Sequence, residues 1–332
     1  MIDLHAHVLP GIDDGAPTLE SSLALARAAV TDGVETMVAT PHVRDDYRTE
    51  ATTMARLVGE LRAAFASDSV PLELLPGGEV ALDQVRARPV SELQAFGLGG
   101  NPGYLLVEFP YHGWPLDLSE LMFQLVAQGV TPVLAHPERN DVVQAAPLRL
   151  QPLVASGCLV QLTAASAVGR LGRRPRAAAM QLLELGLAHV LASDAHAAGL
   201  PGAGLAAAAV AVGGGQLADW LTRELPGAIV AGSELPARPD QARSRRWPRV
   251  GRKDAVVTRA LPSTSGLNRT DVGHLLFIWS PLGYGLRERE GQPPAVGTTF
   301  DEDGRLLRVS RIGPSPLFGD RRKCAFTEPI PQ

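Results

Sequence analysis

The first 235 residues or so alternate short apolar runs with longer segments of helical periodicity. The runs are rich in Val, Leu and Ile, which is typical of strands buried on both faces of a parallel sheet. They are Ile2–His5, Thr36–Thr40, Leu72–Pro76, Tyr104–Phe109, Thr131–Ala135, Leu159–Thr163 and His189–Ala192. Seven strand–helix repeats predict a parallel α/β barrel, and a doubly wound open sheet is the alternative.

Apolar residues between these runs recur at helical spacing. Leu19, Leu23, Ala26 and Val30 share one helical face, and Gly33 is placed to end that helix. The spacing recurs at Met54, Leu57, Val58 and Leu61, at Leu121, Leu125 and Val126, and at Met180, Leu182 and Leu183. The first strand is not followed by a Gly-rich dinucleotide fingerprint, which disfavours the open sheet.

The pattern changes near residue 235. Residues 233–270 combine four prolines, six arginines between 238 and 252 and a Ser/Thr cluster at 263–265, which predicts a linker. Beyond it, Leu275–Trp279, Gly297–Phe300 and Leu306–Ile312 predict short strands, with a hairpin turn at Asp303-Gly304. We therefore expect an α/β domain at 1–239, a linker at 240–271 and a small β-rich module at 272–332.

Charge divides the chain in the same place. Residues 1–240 carry a net −11 and residues 241–332 a net +7, within a total of −4. A basic tail can attract nucleic acid or anionic lipid, but +7 over 92 residues is too little to predict either partner. With no apolar span long enough for a bilayer and no secretory signal, we expect a cytoplasmic protein without membrane insertion.

The strongest local chemical signal is His5-Ala6-His7, at the end of the first predicted strand. Residues i and i+2 of a strand point the same way, so both imidazoles are predicted to face the interior of the α/β unit. Asp3 lies on that side and could orient one of them. A lone His-x-His is more often a pair of ordinary histidines, so the other strand ends decide.

Metal-competent side chains recur at those ends. They stand in Thr40-Pro41-His42, Gly77-Gly78-Glu79, Val107-Glu108-Phe109, Ala135-His136-Pro137-Glu138-Arg139 and Ser193-Asp194-Ala195-His196, and in Asp13-Asp14-Gly15 after the first strand. The C-terminal strand ends of an α/β barrel converge on the face that holds the active site. Clustering so many imidazoles and carboxylates without a cation would be costly, so the pattern predicts a metal site.

The residue types suggest the reaction. The candidates are His5, His7, His42, Glu79, Glu108, His136, Asp194, His196 and one of Asp13 and Asp14, which spacing does not separate. Imidazoles and carboxylates without thiolates suit zinc, manganese or iron, and nine ligands fit two or three ions. Clustered divalent ions activate water and neutralise phosphoryl charge, so metal-dependent phosphoester hydrolysis is predicted.

Arg139 and the nearby aromatic residues each allow two interpretations. Arg139 could clamp phosphate oxygens or form only a surface ion pair. The aromatic residues Phe109, Tyr111 and Trp114 could line a pocket or simply pack. Glu138 and Asp141 are expected to be exposed loop carboxylates.

A thiol phosphatase is excluded. Its chemistry needs a cysteine with an arginine six residues later, but position 164 is Ala and position 330 is Ile. We expect Cys158 to be buried and Cys324 to be incidental.

Together these residues resemble the PHP (polymerase and histidinol phosphatase) superfamily. They are most similar to the manganese-dependent protein-tyrosine phosphatases of bacterial capsule and exopolysaccharide operons. The segments that carry the resemblance are Met1–Ala16, Thr36–Val43, Gly77–Ala81, Leu106–Tyr111, Val133–Asp141, Val160–Ala167 and Val190–Ala197.

The resemblance implies a distorted (β/α)₇ TIM-like barrel with three divalent ions, manganese being favoured over iron or zinc. By matching position, it implies that one ion is held by His5, His7, Glu79 and Asp194. It implies that Glu79 bridges to a second ion completed by Glu108 and His136, and that a third is held by Asp14, His42 and His196. Arg139 matches a phosphate-contacting arginine.

One departure concerns phosphate binding. The family commonly has an Arg-Pro-Pro segment with a second phosphate-binding arginine, where this chain reads Ala198-Gly199-Leu200-Pro201-Gly202. We therefore expect turnover with weaker phosphate binding or a shifted substrate.

The resulting expectation is a phosphatase acting on a bacterial tyrosine autokinase, without a nucleic-acid partner and with a homo-oligomer left open. One alternative is another PHP phosphoesterase, such as a histidinol-phosphate or nucleotide phosphatase. The other is a non-catalytic protein that binds metal and anions.

Overall fold

A computed structural model describes residues 1–198, 204–239, 273–280, 283–302, 305–314 and 322–330. Its N-terminal part is a mixed α/β fold with parallel sheets, and its C-terminal part is a mainly antiparallel sheet. The predicted linker at 240–271, the Asp303-Gly304 turn and residues 199–202 of the departing segment lie outside the described residues.

The strands of the N-terminal part are β1 (Ile2–Ala6), β2 (Thr36–Ala39), β3 (His42–Val43), β4 (Glu73–Pro76), β5 (Glu79–Ala81), β6 (Tyr104–Glu108), β7 (Thr131–Ala135), β8 (Leu159–Thr163) and β9 (Val190–Ala192). They confirm the seven predicted runs to within one or two residues. The prediction missed β3 and β5, which continue the chain beyond β2 and β4 after the interruptions at Thr40-Pro41 and Gly77-Gly78.

All of these strands pair in parallel, in two sheets with the orders β1-β2-β4 and β3-β5-β6-β7-β8-β9. Hydrogen bonds also link β1 to the segment after β9. His7 N–H donates to the carbonyl of Ala195 at 2.8 Å, and Asp194 N–H donates to the carbonyl of His5 at 2.8 Å. The ends of β1 and β9 therefore lie side by side.

The helices of this part are α1 (Leu19–Thr31), α2 (Ala51–Ser67), α3 (Leu82–Ala87), α4 (Val90–Leu93), α5 (Leu118–Ala127), α6 (Asp141–Ala145), α7 (Gln151–Ala155), α8 (Ala164–Ala167), α9 (Arg173–Glu184), α10 (Leu205–Ala211), α11 (Gly215–Asp219) and α12 (Leu225–Ala231). A π-helical turn, Trp220–Glu224, joins α11 to α12, and short 3-10 turns include Pro137–Arg139. None of the described helices combines the length and the apolarity that crossing a bilayer requires.

The predicted helical faces are largely confirmed. α2 buries Met54, Val58 and Leu61. On α1 the prediction was wrong for Leu19, which is 47% exposed, because the buried face is centred on Leu25 and Ala26. Burial of these faces against the parallel strands forms one continuous apolar core.

The C-terminal sheet contains β10 (His274–Ser280), β11 (Gly283–Arg289), β12 (Thr299–Glu302), β13 (Arg305–Pro314) and β14 (Lys323–Pro329), in the order β11-β10-β14-β13-β12. The predicted β-rich character of this region is confirmed, although the prediction missed β11 and β14. β11 contains two glycines and ends in three charged residues, and the apolar run of β14 is only Cys324-Ala325-Phe326, so neither has a clear strand pattern.

One face of this sheet packs against α5. Leu275, Phe277, Cys324 and Phe326 form a buried cluster with Phe123. The rings of Phe123 and Phe326 lie 5.6 Å apart between centroids. Cys324 is therefore a packing residue rather than an incidental one.

Candidate metal centre

All nine predicted ligands come together at the C-terminal ends of the parallel strands. Their donor atoms fall into four overlapping groups, each within 4.8 Å. The groups are His5-His7-Asp194, His5-Glu79-His136, His42-Glu79-Glu108 and His7-Asp14-His42-His196. The cluster is built from residues up to 191 positions apart in the chain, so it depends on the fold.

The two histidines of β1 face one another across the cluster. His5 Nε2 lies 3.2 Å from His7 Nε2. The other nitrogen of His5, Nδ1, donates to the side-chain oxygen of Gln161 at 3.0 Å. His7 Nδ1 donates to the carboxylate of Asp13 at 2.8 Å. When both Nδ1 atoms carry a proton, both Nε2 lone pairs remain free to bind one cation.

Asp13 and Asp14, which spacing could not separate, take different places. Asp13 accepts hydrogen bonds from His7 Nδ1 and from the backbone N–H groups of Gly15 and His42. Asp14 is partly exposed, and its Oδ1 lies 3.4 Å from both His42 Nε2 and His196 Nε2. Asp13 therefore orients an imidazole, whereas Asp14 contributes to a donor group.

Gly15 lets this loop approach β1. A Cβ at this position would collide with the backbone and the Cβ of His7. Glycine is required here by the close approach of the two segments.

Glu79 lies at the centre of the cluster and is fully buried. Its Oε1 accepts a hydrogen bond from His136 Nε2 at 2.9 Å. Its Oε2 lies 2.9 Å from His42 Nδ1 and 3.4 Å from both His5 Nε2 and His7 Nε2. One carboxylate thus contacts four imidazoles, which is the arrangement expected of a bridging group.

Protonation in the cation-free cluster reflects this crowding. Burial opposes charging of His5, but Glu79 and Asp194 raise its pKa to about 9. Burial likewise opposes ionisation of Glu79, but His5, His136 and His42 hold its pKa well below the usual value. A proton on His5 therefore supplies positive charge that the neighbouring buried carboxylates require.

Polar atoms without hydrogen-bond partners test whether cations fit. Among the described residues, Glu79 Oε2, His42 Nδ1 and His136 Nδ1 are buried and lack a partner of suitable geometry. A buried polar atom left in this state is costly, and cation coordination would satisfy a donor set of imidazoles and carboxylates. The residues present therefore fit a metal site.

Two strand ends adopt left-handed backbone conformations. His136 has φ 38° and Asp194 has φ 55°. Non-glycine residues rarely adopt such values, which cost about 1–3 kcal/mol and cluster at functional sites. Here they occur where the chain turns out of β7 and just after β9, and both side chains enter the cluster.

Arg139 borders the cluster. Its Nη1 donates to Asp194 Oδ2 at 2.8 Å, and its guanidinium lies 4.5 Å from the centre of the Tyr111 ring. The Tyr111 ring is stacked on His136 at 5.5 Å between centroids and is 40% exposed. Burial raises the pKa of Tyr111 to about 12, so its hydroxyl stays protonated at neutral pH. Arg139 is thus more than a surface ion pair.

Two expectations for neighbouring carboxylates need correction. Glu138 was predicted to be exposed but is fully buried, because its Oε1 accepts the backbone N–H of Thr163 at 3.0 Å. Asp3 accepts the backbone N–H groups of Ser193 and His5, so it braces the β1–β9 junction instead of orienting an imidazole. Asp141 is exposed, as predicted.

The aromatic residues divide between packing and the mouth of the site. Phe109 is buried and packs edge-on against Trp114, with 5.7 Å between the ring centroids. Only Tyr111 of the three reaches the cluster. Cys158 is buried as predicted, and burial raises its pKa to about 12, which disfavours a reactive thiolate.

Sequence reasoning missed Gln161 and Arg44. Gln161 is an amide residue in the middle of the short, mostly apolar and fully buried β8, and this was a readable signal. Arg44 stands two residues after His42, so strand alternation alone could have placed it beside the cluster.

A family model and named relatives match this chain. The family model described as capsular polysaccharide synthesis, CpsB/CapC, matches residues 1–212. The tyrosine-protein phosphatase YwqE of Bacillus subtilis is 36% identical over 197 residues, covering 59% of this chain and 77% of the relative. The tyrosine-protein phosphatase CpsB of Streptococcus pneumoniae is 28% identical over 207 residues, covering 59% and 83%.

A solved structure is similar as well. It comes from work on YwqE of Bacillus subtilis and CpsB of Streptococcus pneumoniae, described as unique metal-dependent tyrosine phosphatases. The match has a TM-score of 0.63 and 31% identity, and it covers 73% of this chain and all of that chain.

Proposed function

Because the chain belongs to the CpsB/CapC family of capsular polysaccharide synthesis proteins, we propose that it is a metal-dependent protein-tyrosine phosphatase. The observation that carries this proposal is the convergence of nine His, Asp and Glu side chains beside Arg139. Two relatives named as tyrosine-protein phosphatases each match 59% of the chain.

We further propose that the parallel strands form a closed, distorted (β/α)₇ barrel of the PHP type. The hydrogen bonds between His7 and Ala195 and between Asp194 and His5 support closure, because they join the first strand to the last. The division into a barrel at 1–239 and a separate C-terminal module stays a prediction.

Three divalent ions, with manganese favoured, are proposed for the nine ligands. His5, His7, Glu79 and Asp194 would hold one ion, and Glu79 would bridge to a second held by Glu108 and His136. Asp14, His42 and His196 would hold the third. The sharing of Glu79 between two donor groups supports its bridging role.

Bound cations at this site would supply an activated water and neutralise charge on the phosphoryl group. The protein's own residues would hold the substrate. Arg139 would donate to phosphoryl oxygens, and Tyr111 would present an aromatic face near the leaving group. Gln161 and Asp13 would keep the Nε2 atoms of His5 and His7 directed into the cluster.

A phenol is a suitable leaving group for such a site. Its pKa near 10 makes it a better leaving group than an alkyl alcohol, so less proton donation is needed. We propose that the substrate is a tyrosine-phosphorylated protein of capsule synthesis, specifically a bacterial tyrosine autokinase. A cytoplasmic location and a homo-oligomer stay predictions.

The test is a substrate panel after defined metal loading. Full-length protein is stripped with a chelator, reloaded with manganese, zinc or magnesium, and assayed on a phosphotyrosyl peptide, histidinol phosphate and a nucleoside monophosphate. Manganese-dependent hydrolysis that favours the phosphotyrosyl peptide is expected. Preference for histidinol phosphate or the nucleotide would support another phosphoesterase, and no hydrolysis after loading would support a non-catalytic role.

A further inference from the structure

Arg44 contacts the cluster from the side of β3. It follows His42 by two residues, and its Nη1 donates to Glu108 Oε1 at 3.2 Å. Its Nε lies 2.7 Å from the exposed carboxylate of Asp46, and its side chain is 27% exposed. The guanidinium is therefore neither buried in the core nor free in solvent, but held at the edge of the cluster.

A tyrosine accompanies Arg44. Its guanidinium lies 5.1 Å from the centre of the Tyr47 ring, and that ring is stacked on His42 at 5.8 Å between centroids. Cation–π contact limits the positions that the guanidinium can take and preserves its charge.

Arg139, in the 3-10 turn that follows β7, has the same surroundings. It pairs with the cluster carboxylate of Asp194, lies over Tyr111, and Tyr111 is stacked on His136. The two imidazoles involved, His42 and His136, contact different oxygens of the central Glu79. The site thus carries two arginine–tyrosine pairs, one on each side of Glu79.

We propose that Arg44 is a second phosphoryl-binding residue, which acts together with Arg139 on the dianion of a phosphomonoester or on inorganic phosphate. A guanidinium has five N–H donors, of which the hydrogen bond to Glu108 and the ion pair with Asp46 engage two. Two planar cations that approach a dianion from different sides bind it more tightly and more directionally than one.

The neighbouring carboxylates favour this role. Glu108 is itself a candidate ligand, so its charge would be shared with a cation in the loaded protein. The pairing between Arg44 and Glu108 would then weaken, and the guanidinium would gain more from an anionic group at the mouth. Tyr47 would hold the guanidinium in place during this exchange.

The competing explanation is that Arg44 only braces Glu108. Three variants separate the two roles in the full-length, manganese-loaded protein: Arg44→Gln, Arg44→Lys and the control Arg48→Gln. Arg48 lies in the same loop, is exposed, and its side chain donates to the carbonyl of Asp45. Binding of inorganic phosphate is measured by titration calorimetry, metal content by elemental analysis, and KM and kcat with a phosphotyrosyl peptide.

Arg44→Gln is expected to weaken phosphate binding at least tenfold and to raise KM more than it lowers kcat, while metal content stays at the wild-type level. Arg44→Lys should recover part of the affinity, because it keeps the charge but loses the planar fork. Arg48→Gln should behave as wild type.

Unchanged phosphate affinity in Arg44→Gln would overturn the proposal, as would loss of metal in parallel with affinity or a wild-type protein that binds no phosphate. The proposal rests on the proposed function only for the identity of the substrate. If the wild type binds phosphate through Arg44 but hydrolyses no member of the substrate panel, the phosphate site stands and the phosphatase activity fails.

Discussion

The strand ends of the α/β part and the C-terminal sheet use buried space in opposite ways. The first region buries His5, His7 and Glu79, and several of its polar atoms lack hydrogen-bond partners within the described residues. The second buries Phe277 and Phe326, whose rings stack at 5.0 Å between centroids. Neither ring of that pair carries a polar atom that would need a hydrogen bond or a cation.

The metal-ligand cluster supplies chemistry at a cost in stability, whereas the aromatic cluster of the C-terminal sheet supplies stability. Crowded buried charges without cations destabilise a fold, whereas stacked apolar rings stabilise it. Variants in the first region should therefore change activity more than stability, and variants in the second should do the reverse.

The largest expected effect tests the first half of this contrast. Asp194→Ala removes a carboxylate from a donor group and also the partner of Arg139, and His42→Ala removes an imidazole shared by two groups. Each should lower kcat by on the order of 10³-fold or more, since a preorganised electrostatic contact is lost. Steady-state kinetics and far-ultraviolet circular dichroism are measured together.

Asp141→Ala is the matched control, because Asp141 is an exposed carboxylate whose side chain pairs with His112 and accepts the backbone N–H of Gly113, and neither partner belongs to the cluster. It should leave kcat within a factor of about two, as expected for a surface change. Loss of the helical signal in Asp194→Ala or His42→Ala would contradict this expectation, because it would show that these side chains hold the fold.

In the C-terminal sheet, substitution should change the free energy of unfolding. Phe326→Ala should destabilise the C-terminal sheet by about 3–5 kcal/mol, because a buried ring in contact with Phe277 and Phe123 is lost. Denaturant unfolding followed by aromatic fluorescence gives the free energy, with Leu306→Ala as an exposed control.

The kcat of Phe326→Ala, measured below its unfolding transition, should equal that of the wild type. A fall in kcat with full metal content would mean that the sheet shapes the active site through α5. The separation of roles between the two regions would then be wrong.

The smallest expected effect concerns a buried histidine outside the cluster. His189 Nδ1 accepts the backbone N–H of Val160 at 3.1 Å, and burial together with Arg238 lowers the pKa of His189 to about 4. Below its unfolded pKa of about 6.5, the unfolded chain binds this proton more readily than the folded one. Stability should therefore be complete above pH 6.5 and decrease as pH falls toward 4, by at most roughly 3 kcal/mol.

His189→Asn keeps an acceptor near the Nδ1 position but does not titrate. Free energies of unfolding at pH 8, 6 and 5 are compared with those of the wild type, both stripped of metal. The acid-dependent loss should be smaller in the variant. Identical pH profiles would mean that His189 contributes nothing to the linkage.

Much of the α/β part could be predicted because its signals are local. Short apolar runs, such as Tyr104–Glu108, have a strand pattern that can be read without knowing the partner strands, and strand alternation places His5 and His7 on one side. The missed strand β14 shows the limit. Its buried residues 324–327 form only a short run between Lys323 and Glu328, and its pairing with β10 and β13 makes it a strand.

The features of the candidate site likewise divide into those that the sequence could predict and those that it could not. The residue types at the strand ends could be read directly from the sequence. Adjacent residues with the same chemistry could not be separated, as Asp13 and Asp14 show, and the burial of Glu138 depends on a backbone N–H at Thr163, 25 residues away.

The sequence by itself determined where the main strands of the α/β part lie along the chain. It also determined the imidazoles and carboxylates at their ends and the kind of cation that these could bind. The tertiary structure alone decided that Gln161 meets His5 across 156 residues, and that Arg44 and Arg139 each meet a cluster carboxylate and a tyrosine. The physical reason is that donor type belongs to a single residue. Distance, burial and charge pairing belong to residues that only folding brings together.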